Sequence, residues 1–154
     1  MKITIITSPF GYIPPDGIGA VEKIWYDLSI EFLKKGNENL GLLGYTDHSE
    51  KHCAIVAKRA GTILEQFGYS EHEIALAEIA GALHDIGNVI NRQNHGEYGA
   101  ILANSILEKM GMDLQDRVVI MSAIGNHDES TGEAVDPISA ALILADKTDV
   151  RRNR

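Results

Sequence analysis

From residue 41 onward, apolar residues recur three and four positions apart in successive blocks, the spacing of one face of an α-helix. The blocks predict helices near residues 48–67, 71–84, 96–110, 113–126 and 137–149. Local signals support these bounds. Ser70 with Glu73 has the form of a capping box, Asp136 before Pro137 supplies an N-cap with proline at the first helical position, and Gly68 and Gly111 stand where helices should stop. The start of the chain has a different pattern. Lys2 to Ser8 is a β-branched run that predicts a strand, Pro9 to Gly19 reads as a loop, and an amphipathic helix is expected from about Ala20 to Lys35. The expected architecture is therefore mainly α with an N-terminal strand-loop-helix extension, divided into residues 1–38 and 39–154.

A lone strand needs partners for its backbone donors and acceptors, and the remaining sequence offers helices. A homodimer in which the Lys2–Ser8 segments pair or exchange answers that need. Composition narrows the function classes. The chain has 154 residues, is 44% hydrophobic and carries a formal charge of −8, so one core is expected and a nonspecific grip on nucleic acid or an anionic membrane is disfavoured. One cysteine, Cys53, precludes an internal disulfide and reads as a small core residue. No apolar stretch has the length of a membrane span and no signal-peptide core follows Met1, which together predict a cytoplasmic protein.

The candidate chemistry lies in imidazoles and carboxylates at helix ends. His84 and Asp85 follow the apolar run Ala80 to Leu83, where a buried charge is costly unless it is paired, and a metal ion is the simplest partner. Gly87 permits a sharp turn after them. His48 and His52, four apart, would share one helix face, so that either could reach the site. His72, in a polar first turn, is assigned to solvent.

Two family resemblances emerge. "MKITIITSPFGYIPPDGIGAVEKIWYDLSIEFLKKGNE" resembles the opening of a GT-B glycosyltransferase of the family-4 type, but nothing after Gly36 supplies the second nucleotide-sugar domain, so transferase activity is not expected. A sugar-nucleotide binder built on Gly17 and Gly19 is the weakest reading. His52 with Val56-Ala57, "AGALHDIGN", "HGEYGAIL", "IGNHDES" and "LADKTD" together resemble the HD-domain superfamily of metal-dependent phosphohydrolases, over residues 45–154. That resemblance implies an HD-type helical bundle and assigns His52, His84, Asp85 and Asp146 as metal ligands. His52 is preferred over His48 because it precedes His84 by 32 residues, and His48 becomes an extra ligand candidate. His95 and His127 would hold a second metal, with Asp85 as the bridge.

Departures from relatives disfavour hydrolysis of cyclic di-GMP and of guanosine tetraphosphate. Asn88 stands where many cyclic-dinucleotide phosphodiesterases have lysine, their "GYP" signature is missing near Ser130 to Pro137, and Ile86 to Val89 lack the acids of alarmone hydrolases. The sequence stops at Arg154, soon after Asp146, where relatives usually continue through further helices, so part of the substrate pocket is expected to be missing or supplied by a partner. The function expected is phosphoester hydrolysis of a nucleotide or small phosphorylated metabolite, with one or two ions of Mn, Fe, Co, Ni or Zn, or Mg at lower affinity. Asp85 would orient the nucleophile, Asp128 would protonate a leaving group or fix the His127 tautomer, and Lys147 with Arg151 or Arg152 would contact phosphate. The alternative is a catalytically silent, metal-binding or regulatory HD domain.

Overall fold

The computed structural model describes residues 20–45, 48–128 and 130–149, with side chains from residue 27 onward. The expected strand Lys2–Ser8, the Gly17 and Gly19 loop, the strand-paired dimer and Arg151–Arg152 lie outside these residues. Six helices follow in order: α1 (Ala20–Leu42), α2 (Glu50–Gln66), α3 (Glu71–Leu83), α4 (His95–Lys109), α5 (Leu114–Gly125) and α6 (Pro137–Lys147), with a single 3₁₀ turn, Ile86–Val89, between α3 and α4. No strand occurs among the described residues, in keeping with the mainly α bundle expected.

The capping chemistry acts as its sequence suggested. Ser70 accepts from the Glu73 amide while the Glu73 carboxylate accepts from the Ser70 amide, and Asp136 with Ser139 makes the same reciprocal pair behind Pro137. Gly68 and Gly111 close α2 and α4 at φ 77° and 80°, left-handed backbone that glycine adopts without steric cost. Helix α2 packs on α3 and α6, and α4 on α5, around Val56, Ala60, Ile86, Ile120, Ile124 and Leu142. Cys53 belongs to this core and burial pushes its thiol up, which suits a packing role.

Two local expectations need correction. The first helix runs to Leu42 instead of ending near Lys35, and it packs on the 3₁₀ turn and α4. Gly36, which resembles a stop signal, sits where a Cβ would come within 3.0 Å of the Val89 amide, so its glycine serves close approach inside a continuing helix. Gly87 likewise has no positive φ. A Cβ there would collide with the His95 carbonyl and lie 2.6 Å from the Gly99 amide, so the constraint is contact between the 3₁₀ turn and α4.

Because both obstacles are backbone atoms, Gly87→Ala is expected to lower unfolding free energy by about 3 kcal/mol, at the upper end of overpacking costs. Urea denaturation of the metal-free protein checks this; a midpoint equal to wild type would contradict the packing account.

Candidate metal centre

Five segments converge at one end of the bundle. His84 caps α3 and Asp85 begins the 3₁₀ turn, His95 is the first residue of α4, His127 follows α5, His52 lies in the first turn of α2, and Asp146 is near the end of α6. Asn94, at φ 60°, holds the left-handed backbone that swings the chain from the 3₁₀ turn into α4 and sets His95 in place. All four of His52, His84, His95 and His127 are buried, and Asp85 is only 2% exposed.

Asp85 is the hub. Its Oδ2 lies 2.6 Å from His48 Nδ1, 3.3 Å from His84 Nε2 and 3.6 Å from His52 Nε2, while its Oδ1 lies 3.6 Å from His95 Nε2. On the first side, Asp146 Oδ1 is 3.1 Å from His52 Nε2 and 3.7 Å from His84 Nε2. On the second, the Nε2 atoms of His95 and His127 face one another at 3.1 Å. Donor groups that could each enclose a cation therefore include His52, His84 and Asp146, and separately Asp85, His95 and His127. The seven metal-ligand candidates are all within this cluster.

Tautomers are fixed from outside the cluster. His84 Nδ1 donates to the Gly81 carbonyl at 2.8 Å, and His127 Nδ1 to the Ile124 carbonyl at 2.6 Å, which leaves each Nε2 as a lone-pair donor. His52 Nε2 and His84 Nε2 are buried and have no hydrogen-bond partner in the protein. Buried polar atoms without partners are costly, and two imidazole nitrogens beside two carboxylates are the donor set that a borderline divalent cation accepts. The residues present fit a metal.

Several expectations shift in detail. His48 is not on α2: it precedes Ser49, the N-cap, and reaches Asp85 from the connecting segment, its amide held by Asn37. Ile124, not Asp128, fixes the His127 tautomer. Asp128 instead accepts from Ser130 and stands 3.7 Å from His95 Nδ1. Lys147 ends α6 beside Asp146 but does not line the central cavity. His72 pairs with Asp116 in a half-exposed position, as a surface residue should.

Three participants escaped sequence reasoning. Asp149 accepts from His52 Nδ1 at 2.7 Å and is backed by Arg59 at 3.4 Å. Its only sequence signal is a second acid one helical turn after Asp146. Asn88 donates to Asp85 Oδ1 at 2.7 Å, the position where the motif comparison noted only a missing lysine. Arg92 brings a guanidinium to 3.3 Å from His95 Nε2 and 3.7 Å from Asp85 Oδ1. Arg92 borders a polar cavity of about 210 Å³ whose other walls are His48, Asp85, His95, His127, Asp128 and Asp146.

The charges are strongly coupled. Burial alone would raise the Asp85 carboxyl, but His84 and His48 hold it well below the usual carboxylate range. Burial opposes charge on His84 too, and Asp85 with Asp146 outweighs it, so this imidazole is held well above its ordinary value. Burial also opposes ionisation of Asp146, and the adjacent His52 and His84 imidazoles override it, keeping the carboxyl far below its ordinary value. His127 goes the other way, pushed down to about 4 by burial and by His84.

Residues 50–153 match the family model described as "HD domain", which covers well over half of the chain. The chain belongs to the HD domain family, which includes metal-dependent phosphohydrolases. Among curated proteins it is 28% identical over 168 residues to an uncharacterized protein of Methanocaldococcus jannaschii, covering 90% of this chain and 64% of the relative. It is 32% identical over 111 residues to Ribonuclease Y of Enterococcus faecalis, covering 70% of this chain and 19% of that protein. Ribonuclease Y of Mycoplasma mycoides is 28% identical over 126 residues, with 82% and 28% covered. The chain thus spans under two thirds of the length of these curated relatives. No solved structure matches it. None of these matches supports a glycosyltransferase origin for residues 1–38.

Asp149→Asn keeps the hydrogen-bond shape but removes the charge that orients His52, so Mn²⁺ affinity measured calorimetrically should fall about 10- to 100-fold. An unchanged affinity would remove Asp149 from the centre. The His127 shift predicts a pH effect. Its folded value of about 4 lies below its ordinary 6.5. Between the two the unfolded chain binds the extra proton, so stability from this group is lost as pH falls through that window. In metal-free protein, wild type should lose about 2 kcal/mol relative to His127→Gln between pH 7 and pH 4.5, read from urea midpoints.

Proposed function

We propose that this HD domain is a metal-dependent phosphohydrolase acting on small phosphorylated molecules. The observation that carries the reading is one buried carboxylate, Asp85, set between two three-residue donor groups beside two imidazole nitrogens that have no protein partner. His52, His84 and Asp146 with Asp85 would hold one divalent ion, with His48 at hand, and Asp85, His95 and His127 a second. Bound there, Mn, Fe, Co, Ni or Zn, or Mg at lower affinity, would supply Lewis acidity toward phosphoryl oxygen and an activated water.

The chain's own groups do the rest. Asp85 is anchored by Asn88 and held ionised, so the negative charge at the hub is fixed before substrate arrives. Arg92 is the cation among the described residues lining the cavity, and it is placed to meet a phosphate that enters above Asp85 and His95. Asp128, also on the wall, stays ionised at neutral pH: burial opposes this, but its bonds from the Ser130 amide and hydroxyl prevail. That state favours positioning over acid catalysis.

The Ribonuclease Y relatives make RNA the rival substrate. A charge of −8 and a cavity of about 210 Å³ favour one phosphate group on a compact molecule over a long polyanion. The other rival, a silent metal-binding domain, shares the ligands and differs only in turnover.

Protein purified without added metal should contain one to two equivalents of a divalent ion by elemental analysis, and Asp85→Asn should lose it. With Mn²⁺, wild type should hydrolyse p-nitrophenyl phosphate or bis-p-nitrophenyl phosphate, and Asp85→Asn should be at least 1000-fold slower, consistent with loss of metal-assisted catalysis worth roughly 4 kcal/mol. Metal bound with no turnover of either ester would favour the silent domain.

A further inference from the structure

We propose that the groove between the C-terminal end of α1 and the 3₁₀ turn is a leaving-group subsite, taking an uncharged group with an apolar face on the far side of Arg92 from the metal centre. The inference rests on the phosphohydrolase reading and extends it to substrate class.

The groove is a second cavity, of about 330 Å³, lined chiefly by Asn39, Leu42, Leu43, Ile90, Asn91 and Arg92. It meets the metal-centre cavity at Arg92, which lines both. Arg92 is held at this junction: its guanidinium is 3.4 Å from the Asn88 carboxamide oxygen, 3.3 Å from His95 Nε2, and 5.8 Å from the centre of the Tyr45 ring. A phosphate touching the inner side of that guanidinium would have the groove open to its ester substituent.

The chemistry of the walls selects the substituent. Leu42, Leu43 and Ile90 are 86%, 67% and 55% exposed, an apolar cluster that gains from being covered. Asn39 and Asn91 supply neutral carboxamides, and among the described residues no acidic side chain lines the groove. Apart from Arg92, already engaged at the junction, no described residue there matches a charged group. An aromatic or heterocyclic substituent fits these walls; a bare phosphate would leave them exposed.

The test compares binding of methylphosphonate and phenylphosphonate, neither of which is hydrolysed, to the Mn²⁺-loaded full chain by calorimetry. Phenylphosphonate should bind about tenfold more tightly, the scale expected for partial burial of a ring. In Leu43→Ser/Ile90→Ser, two exposed positions whose replacement spares the core, that advantage should vanish while methylphosphonate affinity stays the same. Arg92→Ala should weaken both ligands, and Arg92→Lys should restore part of the loss. Methylphosphonate binding with no gain for the phenyl ring, or a gain that survives the double variant, would overturn the subsite and leave the phosphohydrolase reading standing. Failure of both phosphonates to bind would overturn both. A double variant that changes oligomeric state in light scattering, with no phenyl advantage in wild type, would assign the groove to a second copy instead.

Discussion

The whole arrangement hangs on a carboxylate that has almost no access to water. Asp85 is 2% exposed, and burying an isolated charge of that kind in an apolar bundle would cost several kcal/mol. The fold answers by turning polar groups toward it from every neighbouring element: His48 before α2, His84 from the preceding residue, Asn88 from the next turn, and Arg92 and His95 from the approach to α4. The surrounding helices must then come close enough to deliver those groups. That explains why Gly81, Gly87 and Gly99 sit where added Cβ atoms would meet the backbone of α2, α4 and the α3–turn junction. Small residues in this bundle serve electrostatics through distance.

The compensation is incomplete without a cation. His84 is held charged by Asp85 and Asp146, yet its own Nε2 and that of His52 make no well-aligned hydrogen bond to the carboxylates beside them. A protonated His84 supplies positive charge beside the two carboxylates, and that proton would be given up on binding a metal. His127, kept neutral by burial, already has the state a ligand needs. Two imidazoles of the centre thus differ: His84 is held charged before a cation arrives, and His127 is not.

Much of this was legible in the chain, and the parts that were not share one physical cause. Helix existence follows from periodicity and capping, so α2 to α6 are readable to within a residue or two. The ligands follow from polar groups at the ends of apolar runs. The length of α1 was hidden because Gly36 and Gly41 look like terminators in isolation, and only the approach of the 3₁₀ turn reveals why Gly36 is tolerated mid-helix. His48 was placed one turn below His52 by helical spacing, although the helix starts after it. Asp149, Asn88 and Arg92 carry no pattern of their own. Their roles exist only once α6 lies against α2 and the 3₁₀ turn folds under α4, contacts that no local rule contains.

That dependence on distant contacts bears on how the site and its specificity relate. The candidate metal ligands span residues 48 to 146, so their cluster cannot assemble in any short fragment and must form with the core. Arg92 is different, being set by three neighbours within seven residues, Asp85, Asn88 and His95, and by one distant ring, Tyr45. The buried carboxylate is therefore tied to the whole core, whereas Arg92 at the junction toward the outer groove is held by a few contacts close in sequence. Changes at Leu42, Leu43 or Ile90 could reshape the groove without disturbing Asp85, because these exposed walls contribute little to the core that fixes the hub.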